Sequence, residues 1–355
     1  MEEVKTKYVE NKYFIREELN GITIYDRIFH NFVFYEGLTI ADIDKYNNIK
    51  ELEEYLDKNK DKKTQNIKSK YPFYIGWQLS GNCNLDCIYC FAEDTLHNPN
   101  SEDIMVTSKE ILKLHPLSVG LSGGEPTLEP RLIDIMKLFK DKTTCVINTN
   151  GTTIQFEKLI PTIKETGTFV RLTIDSTDNE MLNTLRPPRQ MPPGGYDQIS
   201  MIRKNVKLMI DNDIPFLIHT VMTKPNMKTI EKTAHDLIEM GVKRWHLYKV
   251  DFSNKCKDFY DDIKVTTEEM QKNHDNLVSK FGDKINITSA LVEAVKNRQR
   301  CILLIDSRGN FFIKNENYYP TFIGKDPQHP TYEEVMSNLN FENHIKCYVR
   351  NFWPR

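Results

Sequence analysis

The 355 residues carry 39% hydrophobic and 28% charged side chains, enough apolar material to fill a core and too much for a globally disordered chain. With 48 basic against 50 acidic residues the net charge is −2, which excludes a protein-wide field for nucleic acid or anionic lipid. Length alone sets an expectation of two or three units, or one large α/β unit with additions.

The N-terminus, MEEVKTKYVE, has neither a basic n-region nor an apolar h-region, so it does not read as a secretory signal. Purely apolar runs such as CILLI at 301–305 are too short to span a bilayer. A cytoplasmic protein with no membrane partner is the expectation, and seven cysteines in such a chain point to metal or redox chemistry rather than disulfides.

Residues 13–35 alternate apolar and polar side chains in three short runs, broken at Asn20-Gly21 and His30-Asn31, which predicts a small β-meander. A helical pattern runs on from about Leu38 to Leu56. The charged stretch at 57–70 reads as a linker between a module at 1–56 and the rest of the chain.

From Tyr71 short apolar runs alternate with amphipathic segments. The runs are 73–79, 117–122, 145–149, 169–174, 215–221 and 244–250; the segments at 130–140 and 228–240 space apolar residues by three and four. This is the pattern of parallel strands with right-handed helical crossovers. At about 30 residues per βα unit, residues 71–255 hold six units, short of the eight that close a full barrel. The predicted fold is α/β: a partial (β/α)6 TIM-type barrel, a small N-terminal β-meander/helix module, and a C-terminal α+β cap at 256–355. Its chemistry belongs on the loops after the strand C-termini. One of those loops, RPPRQMPPGGYD at 186–197, is too rich in proline for helix or strand and reads as a surface connection or a semi-rigid lid.

Cys83, Cys87 and Cys90 come directly after the first of these strands. A zinc site would want a fourth ligand, for which His97 is the nearest candidate. Three thiolates fit better with a [4Fe–4S] cluster that leaves one iron without a protein ligand. The spacing CxxxCxxC, with the aromatic Tyr89 before the last cysteine, resembles the signature of the radical S-adenosylmethionine (radical SAM) superfamily. Gly123-Gly124-Glu125-Pro126 after the second strand resembles that family's GGEP motif, and Asp175-Ser176 ends the fourth strand with Arg186 ten residues beyond.

The resemblance implies a [4Fe–4S] cluster on Cys83, Cys87 and Cys90, with SAM as second cofactor and an electron donor such as flavodoxin or ferredoxin. It implies that Gly123, Gly124 and Glu125 hold the methionine amine of SAM and that Arg186 takes its carboxylate. Asp175, Ser176, Asn148 and Asn150 would face the ribose; Tyr89, Leu247 and Tyr248 would flank the adenine.

The N-terminal segment resembles the PqqD-like recognition element of ribosomal-peptide maturases, which binds a leader peptide as an added strand. Beyond the barrel, the segment from Cys301 resembles the start of SPASM/twitch extensions, but Lys314 stands where the cysteine after Gly309 would be and the later CxxC is absent. The dispersed Cys256, Cys301 and Cys347 do not make an auxiliary cluster by spacing. Cys256, just past the sixth strand, is the candidate hydrogen-atom donor, against a plain buried thiol. Cys145 reads as core, and His219 as a general base or a core histidine. Together these features give a radical SAM enzyme that abstracts hydrogen from a ribosomally synthesised precursor peptide, in epimerisation or crosslinking. The alternatives are a radical SAM enzyme for a small molecule such as a nucleotide or sugar, and a non-enzymatic iron–sulfur protein that binds SAM only as a ligand.

Overall fold

The computed structural model describes residues 4–90, 92, 101–192, 195–289, 302–314 and 320–352. His97, Pro193, Gly194 and Cys301 lie outside the described residues, as do the side chains of Lys314 and Cys347. No helix among the described residues is long and apolar enough to cross a membrane.

An antiparallel sheet runs in the order β1 (Thr6–Val9), β2 (Tyr13–Glu18), β3 (Gly21–Asp26), β4 (Asn31–Glu36). Its turns fall at the predicted breaks, and His30 takes the left-handed φ of +52° that one of them needs. β1 is an addition to the three expected runs, because four residues are too few to display an alternation. The helical pattern after β4 splits into Ile40–Ile43 and Ile49–Lys58.

The six predicted parallel strands are β5 (Tyr74–Ser80), β6 (Ser118–Gly123), β7 (Thr144–Thr149), β8 (Phe169–Thr173), β9 (Phe216–Met222) and β10 (Arg244–Lys249). Alternation sends Ile75, Trp77, Leu121, Ile147, Leu172, Ile218 and Leu247 outward into one core beneath the helices. Within it, Leu132–Phe139 buries Leu132, Ile135, Met136 and Phe139, the face read from the sequence. Cys145 is buried in the same core.

Two further parallel strands flank the six: β11 (Asn286–Ser289) beside β10 and β12 (Leu303–Ile305) beside β5. The antiparallel β13 (Phe311–Lys314) and β14 (Pro320–Phe322) continue past β12, giving a ten-stranded sheet. The described residues beyond 256 therefore extend the barrel sheet at both edges rather than only capping it.

The N-terminal sheet lies across the base of the barrel. One face packs Ile15, Ile22 and Ile24 against Ile43, Leu52 and Leu56 of the two helices; the other packs Phe14, Phe32 and Phe34 against Phe73 and Leu117, which lead into β5 and β6. At about 1.5–3 kcal/mol for each buried large apolar side chain, this shared core is worth many times one surface contact. Arg16, 1% exposed, donates to the carbonyls of Pro72 and His115 and pairs with Glu18 at 2.7 Å. Tyr8 donates to the carbonyl of Thr143, and Arg27 to that of Gly167. His30 stacks on Phe169 at 4.5 Å and accepts at Nε2 from Arg171. That acceptance leaves its proton on Nδ1, against Tyr25.

The stretch expected as a linker is likewise held. Lys63 bridges to Tyr35, Thr64 donates to the carbonyl of Phe34, and Ile67 and Ser69 are buried. Its charge misleads, because the lysines point outward while the backbone is paired.

Candidate functional site: a cysteine loop at the strand C-termini

The loop bearing Cys83, Cys87 and Cys90 leaves the C-terminal end of β5, and all three thiols are half-buried. Its root is stitched to the end of β6: Gly124 donates to the carbonyl of Ser80, and Glu125 to that of Asn82, both at 2.7 Å. This approach demands the two glycines. Gly123 has φ +118°, and a Cβ on Gly124 would lie 2.2 Å from the Asn82 carbonyl oxygen.

Glu125 is 1% exposed and accepts four hydrogen bonds. They come from Thr127 N (3.0 Å), Thr127 Oγ1 (2.6 Å), Thr149 Oγ1 (2.6 Å) and Asn150 N (2.7 Å). Burial pushes its carboxyl up, opposed by these donors. Three of these donors meet Oε1 and one meets Oε2, which keeps room for one more donor. Its side chain thus ties β6 to β7 through the hydroxyl of Thr149 and the N–H of Asn150. Asn150 extends the tie, donating from Nδ2 to Asn84 Oδ1 in the cysteine loop at 2.9 Å.

The end of β8 forms a second knot. Asp175, fully buried, accepts from the Tyr89 hydroxyl and from Val221 N at 2.7 Å, with Arg186 Nη1 at 3.6 Å. Arg186, 1% exposed, donates to the carbonyls of Thr173 and Asn150 and has Nε without a hydrogen-bond partner. Burial pushes the Asp175 carboxyl up against the pull of Arg186, and it pushes the Tyr89 phenol up with Asp175 in support. Ser176 is spent locally, accepting from Asp178 N at 3.1 Å.

Of the residues expected around the adenine, Tyr248 faces the lumen, with its ring 4.4 Å from His246 and 4.7 Å from His219. Leu247 does not. Strand alternation puts its side chain in the helix-facing core, fully buried, and this corrects its placement beside the nucleoside. Asn148 faces the lumen and donates to the carbonyl of Leu121 at 3.2 Å.

His219 has Nε2 buried without a partner, and burial, aided by Arg171 and His246, holds its pKa well below 6.5. Burial takes His246 down to about 3. Both are neutral imidazoles. Cys256 is fully buried among Val250, Ile263, Ile88 and Tyr89, with Sγ 3.2 Å from Ser253 Oγ.

The proline-rich segment does not stand clear of the site as a lid. Pro188 bridges to Leu85 of the cysteine loop, Asp86 donates to Pro187 at 2.7 Å, and Ile88 to Leu185 at 3.0 Å. Tyr196 receives a bond from Asn84 Nδ2 at 2.9 Å. Asn84 and Thr127 are thus parts of the site that the sequence left unmarked, and Thr149, Arg189 and Tyr196 gain specific contacts within segments it had only singled out as a whole. Each sits between the motif residues or on another loop, where no spacing rule reaches.

The donor set suits a multi-iron group. Burial raises Cys83 to about 11, partly offset by the Leu85 N–H, and Cys87 to about 12, partly offset by Arg186. Such thiols need a bound cation to become thiolates. Among the described residues no three His, Cys, Asp or Glu converge to hold one ion. Three cysteines on one loop are the donor set of a [4Fe–4S] cluster that keeps one iron free of protein ligands.

Residues 77–237 match the radical SAM superfamily. Among relatives, an uncharacterised protein of Methanocaldococcus jannaschii, MJ0907, is 29% identical over 297 residues, 78% of this chain and 94% of that one. A probable GTP 3′,8-cyclase of Sulfurisphaera tokodaii is 24% identical over 218 residues, 59% of this chain and 65% of its own length. The subtilosin biosynthesis protein AlbA of Bacillus subtilis is 24% identical over 225 residues, 61% of this chain and 48% of its own. The fold is similar to that of Streptococcus suis SuiB bound to precursor peptide SuiA, with TM-score 0.61 and 14% identity over 86% of this chain and 82% of that one. With the cysteine loop, the glycine pair and the parallel strands in place, residues 77–237 form the domain of a radical SAM enzyme, a superfamily whose members use a [4Fe–4S] cluster and SAM.

Proposed function

We propose that the protein is a peptide-modifying radical SAM enzyme acting on a ribosomally synthesised precursor peptide. The observation that carries this reading is the edge of β1. In the N-terminal sheet the outer edge of β4 is occupied by Lys63 and Thr64, whereas β1 has a strand partner on one side only among the described residues. Glu17 donates to Lys5, so Lys5, Lys7 and Val9 face β2 and the amides of Thr6 and Tyr8 point to the open edge. An extended peptide can be added there through main-chain bonds. β7 is six residues long. The sheet closes the base, so a docked leader must run outside the barrel wall, at least about 20 Å or some six residues, before its target turns over the rim to the cysteine loop.

Cys83, Cys87 and Cys90 would hold the [4Fe–4S] cluster, which together with SAM would supply the one-electron chemistry for hydrogen abstraction from the substrate. The chain's own part is to orient and to enclose. The Gly123–Gly124 backbone offers the surface for the methionine end of SAM. Asp175 fixes Tyr89 beside the last cysteine, and Arg186 holds the ends of β7 and β8 together. The lumen beside them presents the rings of His219, His246 and Tyr248 with the Arg171 guanidinium, groups that can enclose a polar peptide side chain.

Removing the whole N-terminal sheet would strip the barrel base, so the test is a point change. Thr6→Pro deletes an outward N–H while sparing the β1–β2 ladder. The probes are synthetic peptides made from whatever short reading frames flank the gene. The variant is expected to lose peptide affinity at least tenfold while forming 5′-deoxyadenosine without peptide at the parent's rate. Parent-like peptide binding by the variant would sink the docking mode, and turnover of GTP by the parent would favour the small-molecule alternative.

A further inference from the structure

The segment 185–189 runs antiparallel to the cysteine loop and clamps two consecutive peptide groups of it. In the Leu85–Asp86 group, the carbonyl accepts from Arg189 Nε at 3.1 Å and the N–H donates to Pro187 at 2.7 Å. In the Asn84–Leu85 group, the carbonyl accepts from Arg189 N at 3.0 Å, and the N–H at the opposite end donates to Cys83 Sγ at 3.4 Å. A peptide group is planar, so fixing its carbonyl fixes the direction of its N–H. Arg189 thus aims a hydrogen-bond donor at one cluster sulfur without touching that sulfur itself.

The clamp is rigid for reasons of composition. Pro187 and Pro188 have no N–H and a fixed φ, which leaves the strap extended with its carbonyls turned to the loop. Its upstream end is anchored by Leu185, fully buried, and by Arg186, whose carbonyl accepts from Gln198 Nε2 at 2.8 Å.

We propose that residues 185–189 are a strap that sets the reduction potential of the cluster, with Arg189 as the positioning residue. Hydrogen bonds to cluster sulfurs stabilise the more negative, reduced state and so raise the potential. Loss of the strap moves the potential down and makes the electron transfer that begins the reaction harder. The inference rests on Cys83 being a cluster ligand, which a separate variant checks: Cys83→Ala loses the bound iron if that reading is right, whatever the strap does.

The experiment compares Arg189→Ala, which removes the side-chain bond, and Arg189→Pro, which also removes the N–H, with Met191→Ala as an exposed control in the same segment. Each reconstituted protein is titrated against potential and followed by the electron paramagnetic resonance of the reduced cluster. Iron is counted per chain, and amide exchange is measured in the iron-free protein. The expected order of midpoint potentials is parent and Met191→Ala highest, then Arg189→Ala, then Arg189→Pro. At the parent's midpoint each Arg189 variant is less than half reduced. The amides of Asp86 and Ile88 are protected in the iron-free parent and exchange faster in the variants. Should Arg189→Pro fail to take up iron, Arg189→Ala and the parent's exchange pattern decide. Unchanged potentials in the variants, or unprotected Asp86 and Ile88 amides in the iron-free parent, would overturn the proposal.

Discussion

Replacing Glu125 by glutamine separates two roles for the same carboxylate. Three of its four bonds meet Oε1, from Thr127 N, Thr127 Oγ1 and Thr149 Oγ1, and one meets Oε2, from Asn150 N. A glutamine keeps the shape but must turn an NH2 toward one of these groups. The cheaper orientation sets it against Asn150 N–H, donor facing donor. A charge-assisted bond worth about 1.5–3 kcal/mol is lost there, and a buried N–H left unpaired adds about 1–3 kcal/mol. The expected loss is about 3–5 kcal/mol in the iron-free protein, measured by denaturant unfolding under anaerobic conditions. Faster exchange at the Asn150 amide should accompany it. If Glu125→Gln unfolds like the parent and shows only weaker SAM binding after reconstitution, the carboxylate serves the ligand and the reasoning from its four donors fails.

The same geometry gives other outcomes. Gly124→Ala places a methyl 2.2 Å from the Asn82 carbonyl oxygen, so the cysteine loop must shift; iron per chain after reconstitution should fall to half or less, with far-ultraviolet dichroism unchanged. Cys256→Ala removes a fully buried thiol bonded to Ser253. A loss of about 1 kcal/mol is expected, with formation of 5′-deoxyadenosine retained. Abolished solvent-deuterium incorporation into product would instead make Cys256 the hydrogen donor. His30 is held neutral by burial, aided by the neighbouring Arg171, with its pKa well below 6.5. The unfolded chain therefore binds a proton that the folded chain refuses, and stability falls as pH drops below about 6.5. Per histidine the slope is about 1.4 kcal/mol per pH unit. The iron-free parent should lose about that much more than His30→Ala for each unit between pH 6 and 5, and equal slopes would refute the assignment.

The six parallel strands are legible because each sets large apolar residues at alternate positions, such as Trp245 and Leu247 in β10, between helices of clear period. β11 is not, since Asn286-Ile287-Thr288-Ser289 has one large apolar residue and gains its place from pairing with β10. β12 reads as part of a hairpin, and only its parallel register with Ile75–Trp77 reveals it as a barrel strand. In the site, the cysteines and the glycine pair are legible from covalent spacing and steric need. What Glu125 and Arg186 do is not. Both look like ligand-binding charges in sequence, yet Glu125 also ties in a hydroxyl and an N–H at the end of β7, and Arg186 the carbonyls at the ends of β7 and β8. The proline-rich segment shows the same limit: composition announces its stiffness, but only the pairing of Pro188 with Leu85 says what it stiffens.

The N-terminal sheet bonds or packs against the chain leading into or starting β5, β6, β7, β8 and β10, with His30 inserted between Phe169 and Arg171. The barrel is a vessel with a floor. A polymer cannot be drawn through it from end to end, so both flanks of any bound chain must leave on the side by which it entered. A linear substrate has to present its reacting residue at a bend or at a terminus, and residues that favour turns around the modified position would be a requirement of the catalyst's shape.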